Sequence, residues 1–149
     1  MVFIHGGAEH LGSAHEPPWD VVLPLTGHGV IVVTVQYRLG LLGFLAHPLL
    51  TAEGQGSSEN YGLMDLIAAL KWVHNNIAEF GGDPAKVMIF GESAGSENVQ
   101  ALLASPAAAG LFWAAGMESY VLKGGEIGTK VDPESGAAGL VSMYGKFLD

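Results

Sequence analysis

The chain has 149 residues, 49% of them hydrophobic and only 14% charged, which is enough for one domain with a buried core and excludes a disordered tail. Its formal net charge is −9, with six Lys and Arg and no basic cluster, so nucleic acid and anionic membrane are not expected partners. With no cysteine, neither a disulfide framework nor a thiolate metal site can form.

Val2-Phe3-Ile4 reads as the end of a buried strand that runs into a Gly-rich loop from His5 to about Pro18. Met1 to Ile4 carries no basic flank and does not make a signal peptide; localisation is open, and cytoplasmic if residue 1 is the true start. No apolar stretch approaches a membrane span. Val30 to Val35 is a second strand, β-branched at every position, and its continuous apolarity predicts burial on both faces, as in a parallel sheet. An irregular, Gly-punctuated segment follows from Leu39 to Glu59.

A long helix is predicted from about Gly62 to Glu79, with Leu63, Leu66, Ile67, Leu70, Val73 and Ile77 on one stripe and Asn60 as its N-cap. His74 falls on the fringe of that stripe and is expected to be partly buried. Gly81-Gly82-Asp83-Pro84 stops the helix. A third strand, Val87 to Phe90, leads into a helix from Gly95 to about Ala104, and Leu111 to Met117 is the candidate fourth strand. Gly124 to Gly136 reads as loop, and Leu140 to Leu148 as a short amphipathic helix of uncertain placement. Buried strands alternating with helices give an α/β fold with a mostly parallel sheet.

The junction of the third strand and its helix is Gly91-Glu92-Ser93-Ala94-Gly95. A Gly-x-Ser-x-Gly turn between a buried strand and a helix lifts a serine hydroxyl above the carboxyl end of a sheet, where a nucleophile is wanted. The pentapeptide alone is weak; its flanking strand and helix make it specific. The small residues at 91 and 95 let the tight turn pack strand against helix.

A serine hydroxyl needs a base, an acid to orient the base, and donors aimed at the oxyanion. Ser93 is the candidate nucleophile. His5-Gly6-Gly7-Ala8, after a strand, is similar to the His-Gly-Gly-Gly loop of esterases and lipases, and Ala94 would add an N–H from the positive end of the new helix. His5 is expected to organise this loop rather than act as a base. His10 and His15 lack the third ligand that a metal site would need.

These residues place the chain by resemblance. Val2 to Gly7, Val33 to Gly40 (Val-Thr-Val-Gln-Tyr-Arg-Leu-Gly), Asn60 to Asp65 (Asn-Tyr-Gly-Leu-Met-Asp) and Phe80 to Gly95 occur in the order and spacing of the type-B carboxylesterases. The resemblance covers residues 1–119, the N-terminal part of an α/β-hydrolase domain, and leaves 120–149 unassigned. It implies ester hydrolysis on a small-molecule substrate through an acyl-enzyme, with no cofactor and no metal. By position it makes Ser93 the nucleophile, Gly7, Ala8 and Ala94 the oxyanion donors, and Glu92 the acidic neighbour of the nucleophile. Arg38 and Asp65 match a structural ion pair.

Three departures stand out. Gln36 replaces the usual Asn, and Glu97 occupies a place where small or apolar residues are usual, so its carboxylate needs a partner if buried. The family's acid and His both follow the nucleophile by far more than the 56 residues present here, and all six histidines precede Ser93. The chain therefore holds neither, and the missing C-terminal portion of the fold is expected to supply both. A lone partial sheet is expected to be poorly stable by itself. Two other readings stay open from sequence: a non-catalytic binding or adhesion-type member of the same fold, and an inert gene fragment.

Overall fold

The computed structural model describes residues 1–16, 19–54, 58 and 60–119, so the expectations for 120–149 lie outside the described residues. The elements run β1 (Val2–Ile4), α1 (Trp19–Thr26), β2 (Val33–Val35), α2 (Gly40–Phe44), α3 (Pro48–Glu53), α4 (Tyr61–Asn76), β3 (Met88–Glu92), α5 (Ala94–Ala104) and β4 (Ala114–Glu118). The strands form one four-stranded sheet in the order β2-β1-β3-β4, parallel at every pairing.

The two-residue period of the strands sorts the core onto two faces. Val2, Ile4 and Ile89 point to the larger face, where they pack with Leu66, Leu70 and Val73 of α4, Ile77 just beyond it, and Val99 and Leu102 of α5. Phe3 and Phe90 point the other way and meet Val22 of α1, with ring centroids 5.2 Å apart. Full burial of a large aliphatic side chain stabilises by about 1.5–3 kcal/mol. The α4/α5 face therefore carries most of the hydrophobic stabilisation.

Several expectations shift at their edges. The second strand is shorter than its apolar run, because β1 pairs only with Val33 to Val35. It lies at the edge of the described sheet and is half-buried rather than covered on both faces. Asn60 stands at the N-cap of α4 but makes no side-chain capping bond. The predicted helix tail becomes a 3-10 turn, Ile77–Phe80, ended by Gly81 at φ 83°. His74 is exposed. The segment read as irregular holds α2 and α3, and the stretch before Val30 holds α1.

An ion pair anchors the segment after β2 to α4. Arg38 donates from Nε to Asp65 Oδ2 at 2.7 Å and from Nη2 to Oδ1 at 2.8 Å, and its backbone N–H reaches the same carboxylate at 3.0 Å. The guanidinium beside it holds the Asp65 carboxyl below its usual range.

Candidate active site

β3 ends at Glu92 and α5 begins at Ala94, so Ser93 alone makes the turn between them. Its backbone sits at φ 55° and ψ −124°, a region that costs a residue with a β-carbon of order 1–3 kcal/mol. Ser93 N–H donates to the Glu118 carbonyl at 3.0 Å, and its own carbonyl accepts from Ser96 and Glu97 at 2.8 and 3.2 Å. Serine is a favoured N-cap, yet the Ser93 side chain makes no capping bond to α5. The side chain is thus not committed to the cap of α5.

Two glycines permit this turn. A β-carbon on Gly91 would lie 2.5 Å from the Gly95 carbonyl carbon, and one on Gly95 would run into the carbonyl oxygen of Ile4. Strand β1, the turn and the first residues of α5 are in backbone contact. Ala94 is buried at the first position of α5, where a helix N–H has no intrahelical acceptor.

The loop after β1 lies against the same turn. A β-carbon on Gly6 would stand 2.6 Å from the Glu92 carbonyl oxygen and 3.1 Å from the Ser93 β-carbon. Gly7, Ala8 and Glu9 then all take positive φ, at 118°, 53° and 59°. The Gly7 carbonyl accepts from His10 and Leu11, each at 3.0 Å, which closes the loop. His5 is buried under it, with Nδ1 2.8 Å from the Gly6 carbonyl and its ring stacked on Tyr37 at 4.5 Å. The Tyr37 hydroxyl donates to the His5 carbonyl at 2.7 Å. Ring and hydroxyl together organise the loop, as expected of His5.

Beside the turn opens a cleft of about 470 Å³, walled by Gly6, Phe3 and Phe90 and by the carboxylates of Glu92 and Glu118. Glu92 and Glu118 are register partners on β3 and β4, and both are exposed. The structure thus brings Ser93, Glu92, Ala94 and the Gly6–Ala8 loop to one end of the sheet, at the carboxyl ends of β1 and β3. Among the described residues no group of three His, Asp or Glu could hold a metal, and no helix is long and apolar enough to cross a membrane.

Sequence reasoning missed one member of this neighbourhood. Glu9 is buried at 7% exposure, and its Oε1 accepts from Asn98 Nδ2 of α5 at 2.9 Å. Its Oε2 has no hydrogen-bond partner among the described residues. Burial, then the charge of Glu97, raise this carboxyl to about 8. Burial likewise raises the Tyr37 hydroxyl. Glu97 stands out in the sequence as an unusual carboxylate, but the residue it acts on lies 88 positions earlier, where no spacing rule points.

A parallel sheet with helices on both faces and a strained serine at a strand–helix turn defines part of an α/β-hydrolase fold. Residues 1–133 match the model of the carboxylesterase family, and the chain belongs to that family. It is 54% identical over 119 residues to the para-nitrobenzyl esterase of Bacillus subtilis (strain 168), covering 80% of this chain and 24% of that protein. It is 49% identical to the liver carboxylesterase of Sus scrofa over 81% of this chain and 20% of that one. A solved structure titled PNB esterase superposes with a TM-score of 0.73 at 51% identity, over 82% of this chain and 26% of its own. The chain thus spans about a quarter or less of the length of these relatives.

Proposed function

We propose that the chain is the nucleophile-bearing part of a carboxylic ester hydrolase that works through an acyl-enzyme. The observation that carries this reading is Ser93, uncapped and strained at φ 55° on a strand–helix turn, with the Gly6 loop packed against it. Such strain is retained where the geometry serves chemistry. The remainder of the fold, as long in the relatives as three quarters of the protein, supplies the acid and the His.

In this mechanism Ser93 Oγ adds to the acyl carbon while its proton passes to that His. The oxyanion that forms is held by N–H groups of Gly7, Ala8 and Ala94, and the positive end of α5 favours the same charge. The tetrahedral species then loses the alcohol, which takes the proton, and leaves the acyl group on Ser93. Water, deprotonated by the same His, attacks the acyl carbon, releases the acid and restores the serine. Glu92, beside Ser93 on the cleft wall, favours the cationic form of that His. The substrate is a small-molecule ester, and the chemistry asks for no cofactor.

The test uses the complete enzyme, these residues joined to the part that carries acid and His. Ser93→Ala is expected to lower ester turnover by at least about 10⁴-fold. Undiminished hydrolysis by that variant would remove Ser93 from the reaction.

A further inference from the structure

Glu9 follows Ala8 directly, and Asn98 lies one helical turn beyond Ala94 on α5. The bond between their side chains, 2.9 Å long, therefore ties the loop holding two proposed oxyanion donors to the helix holding the third. The loop is also closed by backbone hydrogen bonds of its own, from the His10 and Leu11 N–H groups to the Gly7 carbonyl. Its backbone is left-handed at both Ala8 and Glu9, and the Glu9 carbonyl is itself fixed by the Gly40 N–H at 2.6 Å. We propose that Glu9 is a positioning residue for ester hydrolysis: its carboxyl, clasped by Asn98, sets the spacing between the oxyanion donors of the loop and that of α5. This rests on the reading of Ser93 as nucleophile.

The clasp suits a neutral carboxyl. Glu9 is buried, its Oε2 has no hydrogen-bond partner among the described residues, and a charge there would be left partly unsolvated. Among the described residues the groups that act on it are Glu97 and Asn98 from α5 and the Tyr37 hydroxyl from the segment after β2, none of them a cation. Glu97 repels an ionised Glu9, whose pKa stands at about 8. Below that pH the carboxyl stays seated. Above it, the charge draws the side chain toward water and loosens the loop from the helix.

The experiment measures kcat and KM for an uncharged ester from pH 6 to pH 10 in the complete enzyme, with Glu9→Gln, Glu9→Ala and Ser93→Ala. Wild-type kcat is expected to fall as pH rises through about 8, with KM changing less than about twofold. Glu9→Ala should lower kcat about tenfold at pH 7. Glu9→Gln, which keeps the acceptor for Asn98 and cannot ionise, should recover most of that loss and lack the alkaline fall. An alkaline fall unchanged in Glu9→Gln would overturn the proposal, as would wild-type kcat in Glu9→Ala. Full hydrolysis by Ser93→Ala would instead overturn the nucleophile assignment, and the proposal with it.

Discussion

Between the α-carbon of Gly95 and the carbonyl oxygen of Ile4 there is no room for a β-carbon. The first turn of α5 lies directly on the end of β1, the strand that feeds the Gly6–Ala8 loop. Gly91 repeats the approach from the other side, its absent β-carbon 2.8 Å from the same carbonyl oxygen. Strand β1 and the first turn of α5 are thus held backbone against backbone, which cannot yield as a flexible side chain would.

Gly95→Ala forces a β-carbon into that contact. It is expected to destabilise the complete enzyme by about 1–3 kcal/mol, read from chemical denaturation. An unchanged midpoint would show that the two backbones can separate freely.

Gly6→Ala places its new carbon against the Glu92 carbonyl and the Ser93 β-carbon, at the proposed reacting centre rather than in the core. The expected loss is therefore in kcat, of about 10²-fold, with a smaller change in thermal midpoint than Gly95→Ala gives. A variant that keeps wild-type kcat would separate the loop from the reaction.

Asp65 answers to pH. Its carboxyl is held below the usual range by Arg38, so the folded state prefers the ionised form more strongly than the unfolded chain does. The contribution to stability is present above the unfolded pKa of about 4 and is lost as pH falls through the lower folded value. Asp65→Asn should lower the melting temperature at pH 7, and the gap from wild type should close below about pH 4. A gap of the same size at both ends would show that the charge does not stabilise the fold.

Local patterns carried most of the fold. The apolar run at Val87–Phe90, the glycines at 91 and 95 and the stripe of α4 each lie within a few residues, and each element appears within two or three residues of its expected bounds. The short helices were hidden for equally local reasons: α1 contains Pro24, and α2 has two glycines in five residues. A signal for α3 was present in Pro48 at its first turn with His47 as cap, whose ring accepts from Leu49 N–H at 3.2 Å. Register and edge position are non-local, and so the apolar run of Val30–Val35 overstates the second strand.

The same divide runs through the candidate site. Ser93, Glu92 and Ala94 stand in one pentapeptide, and Gly7 and Ala8 in one loop after a strand, so their types and spacing were readable. That Gly6 would lie against Ser93 depends on β1 and β3 being neighbours, which spacing does not state. Glu9 and Asn98 are 89 residues apart, and only the folded chain joins them.

The most direct measurement is reaction of the complete enzyme with a fluorophosphonate, followed by peptide mass spectrometry. One adduct is expected, on Ser93 in the peptide around Gly91 to Gly95, appearing in step with loss of ester hydrolysis and absent from Ser93→Ala. Hydrolysis that persists while Ser93 is fully modified, or inactivation with the adduct on a different serine, would contradict the nucleophile assignment.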